Sequence, residues 1–112
     1  MEHPEISKFK QAREKSIKAI SQDKNLKSSA LNWMKSAEEH KYIYNFTWLG
    51  RPIIKFPADI IVQQELIWRI KPDLVIETGI AHGGSIVFTS SMLEMIGEEG
   101  EVVAIDIDIR RH

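Results

Sequence analysis

Two carboxylates bracket the stretch of this sequence best suited to chemistry. Glu77 stands at the end of one apolar run and Asp106 at the end of another, with Gly79, His82, Gly83, Gly84 and Ser85 between them. Glycines at Gly79, Gly83 and Gly84 let the backbone take conformations closed to other residues, and let a ligand come close to it. A helix starting beside them would present unpaired N–H groups and partial positive charge. A carboxylate at the tip of the neighbouring strand can accept two hydrogen bonds from a ribose diol. Together these parts predict a pocket for a nucleoside-containing cofactor.

The elements that must position them can be read on either side. Leu74, Val75 and Ile76 form an unbroken apolar run, as expected of a strand covered on both faces. Phe88, Met92 and Met95 or Ile96 recur at helical spacing, and Gly97 falls where a helix-ending glycine belongs. Val102 to Ile105 is apolar again and ends on Asp106. The expectation is a strand, crossover helix and parallel strand, a right-handed βαβ unit with both carboxylates at one edge.

Upstream, Pro57 and Asp59 mark a helix start. Val62, Leu66 and Ile70, widened by Ile60 and Ile67, predict the side that packs on the sheet, and Lys71 closes the helix before Pro72. Tyr42, Tyr44, Phe46 and Trp48 alternate as in a half-buried strand, turned by Leu49-Gly50-Arg51-Pro52. These aromatics pack or line a substrate mouth, with packing the simpler reading. Arg51 either holds an anionic group or pairs with Asp59. Residues 1–41 are lysine-rich, with Ile6, Phe9, Arg13, Ile17 and Ile20 on one side of a helix and Leu31 and Met34 on another. They read as a helical cover, or as an arm of a homo-oligomer.

At 112 residues the chain has room for one domain, and 43% hydrophobic with 28% charged residues is an ordinary globular composition. A formal charge of -1 offers no argument for nucleic acid or an anionic membrane. There is no cysteine, hence no disulfide framework, thiolate nucleophile or cysteine-based zinc site. No apolar run approaches the roughly 20 residues of a membrane span. The expected location is the cytoplasm.

Gly79-Ile80-Ala81-His82-Gly83-Gly84 fits the dinucleotide fingerprint only loosely. Glu77, two residues before the first glycine, would repel a pyrophosphate but suits a cationic, amino-acid-bearing ligand. The pattern of Glu77, Gly79, Gly83 and Ser85, followed by Asp106, resembles motif I and its acidic partner in class I methyltransferases. A narrower resemblance runs from Tyr42 to the end. YNFTWLGRPIIKFPADIIVQQELIW, KPDLVIETGIAHGGSIVF and GEVVAIDIDIR are similar to the cephalosporin hydroxylase / rhamnosyl O-methyltransferase family.

The resemblance implies an α/β fold. Residues 1–41 would be a helical N-terminal segment, and 42–112 the first part of a Rossmann-like class I methyltransferase domain. It implies S-adenosylmethionine as cofactor, contacted by Glu77, Gly79, Ile80, Gly83, Ser85 and Asp106. It also implies methyl transfer to a hydroxyl of a sugar or secondary metabolite. Some members are linked to a divalent metal such as magnesium, on strands later than any in this sequence, so no metal ligand carries over. His82 is the candidate proton acceptor; its plainer role is a turn residue. The alternatives are the hydroxylase activity of the family name, an NAD-linked oxidoreductase, and a non-catalytic nucleoside-binding or interaction module. The sequence stops at Ile109-Arg110-Arg111-His112, just past the second strand. Two parallel strands with open edges are not a stable sheet. The expectation is therefore the N-terminal part of a larger domain, aggregating or partly folded when alone.

Overall fold

The computed structural model describes residues 2–97 and 99–109, so the terminal Arg110, Arg111 and His112 lie outside it. The chain divides into two compact units, 1–40 and 41–112. The first holds α1 (Pro4–Gln22) and α2 (Lys24–Glu39). Pro4 occupies the first turn of α1, where its missing N–H costs nothing. Asp23 serves both helices. Its backbone N–H donates to the Ile20 carbonyl at 3.2 Å and closes α1. Its carboxylate accepts the Leu26 N–H at 2.9 Å and caps α2. The helical spacing of Ile6, Phe9, Ile17 and Ile20 is realised, yet no residue of either helix is buried.

The second unit opens with a short 3-10 turn at Tyr42–Asn45, where alternation of aromatics predicted strand. Local chemistry wins there: Lys41 enters at φ +52°, and the Asn45 side chain donates to the Lys41 and Tyr42 carbonyls. Strand begins only at Phe46. β1 (Phe46–Trp48) pairs antiparallel with β2 (Arg51–Ile53), and Leu49 and Gly50 both turn with positive φ, as a two-residue hairpin requires. Pro52, with no N–H to donate, is tolerated because β2 is an edge strand.

After α3 (Pro57–Ile70), β3 (Leu74–Thr78) leads through the glycine turn into α4 (Gly84–Ile96), and β4 (Glu101–Ile105) follows. β3 and β4 are parallel and in register from Leu74↔Glu101 to Thr78↔Ile105. Gly97, at φ +72°, ends α4 with its N–H on the Glu94 carbonyl. α4 is the central element, touching α3, β4 and both strands of the hairpin. Phe88 and Ile53, each 1% exposed, with Leu93 and Thr89, make the core around it. Trp48 lies edge-on to Phe88 at 4.8 Å and donates its indole N–H to Ser91 Oγ at 2.9 Å. For this aromatic the packing reading holds.

Two further expectations are corrected. The buried residue of α3 is Ile67, while Val62, Leu66 and Ile70 are exposed. The helix is apolar on both sides, and contact with α4 selects one of them, aided by Gln63 donating to Thr89 Oγ1 at 3.0 Å. Nor is β3 covered on both faces. α4 packs on the face that carries Val75 and Val102, whereas Leu74, Ile76, Val103 and Ile105 on the other face are 44–61% exposed.

Candidate functional site

Parallel register decides where the two carboxylates sit. Glu77 lies opposite Ala104, and the Gly79 N–H donates to the Ile105 carbonyl at 2.8 Å. Glu77 and Asp106 therefore share the carboxyl rim of two adjacent strands, on the same side as α4, since side chains alternate along a strand. This is the edge at which open α/β sheets take ligands.

The turn between β3 and α4 is built for close approach. Gly79 and Gly83 adopt φ of +85° and +82°, and a Cβ added at either would meet nothing within 4 Å. Their conformation, rather than crowding by the protein, calls for glycine, and the space beside them is open. Gly84 is the opposite case: its missing Cβ would stand 2.1 Å from the Pro52 carbonyl oxygen. Bare backbone there lets α4 press onto β2. The turn closes on itself through the Gly83 N–H to the Ile80 carbonyl at 2.8 Å, with Ala81 held at φ +47°. That is an unusual conformation for a residue with a side chain.

Asp106 fastens this turn. One carboxylate oxygen accepts the Ile80 N–H at 2.6 Å, and the other accepts the Asp108 N–H at 3.1 Å. These donors, Ile80 first, hold its carboxyl below the ordinary value of 3.8. The Ala81 and Ile107 N–H groups also point at this carboxylate, so it is held by backbone donors from both the turn and the end of β4.

A cavity of about 250 Å³ opens beside the turn, lined by Glu77, Gly79, Ile80, His82 and Ser85. Ser85 Oγ is buried and has no hydrogen-bond partner, an arrangement that costs free energy unless something polar arrives. A second hollow, about 270 Å³, shares Ile80, Ala81 and His82 and reaches Arg51 and Gly83. The predicted residues thus separate slightly. Glu77, Gly79, Ile80 and Ser85 gather in one cavity; Gly83 faces its neighbour; Asp106 braces the turn between the strands. His82 borders both hollows. Arg51 makes no ion pair with Asp59 among the described residues. Sequence reasoning missed Pro52, Ile54 and Lys55, which complete the wall of the first cavity. Their only local signal is their place between a hairpin and a helix start.

Residues 40–112 match the family model described as Rhamnosyl O-methyltransferase/CmcI. The chain belongs to this family. A rhamnosyl O-methyltransferase of Mycobacterium leprae (strain TN) is 37% identical over 76 residues, which is 62% of this chain and 33% of that protein. The enzyme of the same name from Mycobacterium tuberculosis (strain ATCC 25618 / H37Rv) is 33% identical over 75 residues, 62% of this chain and 31% of its own length. The chain therefore spans about a third of the length of these curated relatives. A solved structure of the family, cmcI-N160 SAH, superposes with a TM-score of 0.56 at 26% identity, over 57% of this chain and 33% of that one. The α/β fold is that of the Rhamnosyl O-methyltransferase/CmcI family. Among the described residues no helix is long and apolar enough to cross a membrane, and no group of three or more His, Asp or Glu side chains is placed to hold a metal ion.

Proposed function

We propose that this chain forms the donor-binding part of an S-adenosylmethionine-dependent O-methyltransferase whose acceptor is a hydroxyl of a sugar or secondary metabolite. The observation that carries it is the joint placement of Glu77, the open glycine turn and the orphaned Ser85 Oγ around one cavity at the strand rim. The names of the similar proteins, two rhamnosyl O-methyltransferases and a CmcI structure designated with SAH, support the same reading. A cytoplasmic location belongs to the proposal as well.

When bound, S-adenosylmethionine supplies a methyl group on a sulfonium, open to in-line displacement. What this chain does is hold and orient. Glu77 offers a negative charge to a cationic amino-acid end and would repel a pyrophosphate. Gly79 and Gly83 let the ligand lie against bare backbone. Asp106, through Ile80, keeps the turn in place at the rim where a ribose would lie. A magnesium site is assigned to none of the described residues.

Isothermal titration with S-adenosylhomocysteine and with NADH separates the readings. S-adenosylhomocysteine binds, and Asp106→Ala weakens it strongly. Binding of NADH alone would overturn the methyltransferase reading in favour of an oxidoreductase.

A further inference from the structure

α1 and α2 each carry an apolar seam that their own chain leaves open. On α1, Ile6, Phe9, Arg13, Ile17 and Ile20 follow at helical intervals and make one narrow stripe. Leu26, Ala30, Trp33 and Ala37 do the same on α2. The two helices touch without burying a residue. Ile6, Phe9, Ile17 and Ile20 are 50–67% exposed, and Leu26 and Trp33 are 47% and 52% exposed. Helices of 19 and 16 residues draw most of their stability from packing such a stripe against something.

That something is not the neighbouring helix of the same chain. Antiparallel helix pairs are joined by loops of about two to five residues. Here a single residue, Asp23, both ends α1 and caps α2, which leaves no chain to turn back. Yet the two seams match. Laid antiparallel, Ile20 comes opposite Leu26, Ile17 opposite Ala30, Arg13 opposite Trp33 and Phe9 opposite Ala37, because 9–20 and 26–37 are equal in length. A large side chain faces a small one at two of these levels, and a guanidinium meets an indole at a third, a favoured pairing. The same arrangement brings Glu38 level with Lys8, whereas a parallel one sets it beside Ser21.

We propose that a second copy of this chain covers these seams, α1 of each protomer pairing antiparallel with α2 of the other in a two-fold dimer. Each contact of α1 with α2 then recurs in the opposite sense, so one patch serves both copies. At about 150–250 Å² for a large apolar side chain, the open parts of these six exposed residues come to on the order of 1,300 Å² over both chains, inside the range of stable interfaces. The inference is independent of the donor-binding reading.

The full chain runs as a dimer in size-exclusion chromatography with light scattering; a monomer overturns the inference. If that monomer sediments with phosphatidylglycerol vesicles, the seams serve a lipid surface instead. Ile17→Asp with Ile20→Asp weakens the dimer by roughly a hundredfold or more, because charge is buried at the seam. Gln11→Asp, on the opposite side of α1, leaves it within about twofold. The dimer survives Ile76→Thr with Ile105→Thr; its loss there assigns association to the sheet face and overturns the inference. The register has its own test, since the chain has no cysteine. When an Ile17→Cys chain is mixed with an Ala30→Cys chain, mild oxidation links the two kinds of chain to each other more readily than either to itself. Indiscriminate linking, or a chain with both substitutions that closes its disulfide within a monomer, refutes the exchange of helices.

Discussion

Gly84→Ala should be among the most damaging single-methyl additions in this chain. An added Cβ would lie 2.1 Å from the Pro52 carbonyl oxygen, 2.6 Å from its carbonyl carbon and 2.9 Å from Ile53 Cα. Ordinary contact begins near 3.4 Å, so α4 and β2 must part by about 1.3 Å. All three obstacles are backbone atoms and cannot rotate aside. A gap of that order forfeits roughly a quarter to a half of the dispersion between the facing surfaces, and here those surfaces include the fully buried Ile53 and Phe88. Overpacking of this kind costs about 1–3 kcal/mol, with a backbone clash at the upper end. The better helix propensity of alanine returns at most about 1 kcal/mol. The net loss of about 2 kcal/mol lowers the thermal midpoint by roughly 10 °C in a unit of this size. Tryptophan fluorescence reports it directly, because Trp48 touches Phe88 and bonds to Ser91 on α4. Gly83→Ala is the control. It strains a φ of +82° but meets nothing within 4 Å, so it destabilises without moving Trp48. If Gly84→Ala is as stable as wild type, or leaves the Trp48 signal unchanged, the close approach of α4 to β2 is refuted.

The lowered carboxyl of Asp106 sets an acid dependence. A group whose native pKa lies below its unfolded value stabilises the fold above that unfolded value, and the contribution fades as pH falls through the native one. Wild type should therefore exceed Asp106→Asn in stability at neutral pH, and the gap should close as pH drops below 3.8. A gap that stays constant in urea titrations from neutral to acid would contradict the Ile80 and Asp108 hydrogen bonds as its source. The exposed sheet face carries a separate expectation. Ile76→Thr with Ile105→Thr, both on that face, should reduce self-association of the isolated chain in light scattering; undiminished association would place the contact elsewhere.

Much of the site was legible because it is built from neighbours in sequence. The apolar run of β3, the glycine turn, the start of α4 and its end at Gly97 follow one another, and each is governed by local rules of strand, turn and cap. The Tyr42–Asn45 turn was missed for the same local reason: the Asn45 side-chain bonds that favour it leave no trace in hydrophobic alternation.

What the residues determined unaided was the order of elements, the carboxylates at strand ends and the need for glycine in the turn. Tertiary structure decided which apolar side of α3 meets α4, which glycine guards a backbone contact, and that Lys55 and Ser85 border the same cavity as Glu77. The physical reason is range. Dihedral preferences and caps act over a few residues, so they can be read in order along the chain. Packing sets Gly84 against Pro52 and places Lys55 and Glu77 around one cavity across intervening helix and strand, and only the closed fold does either.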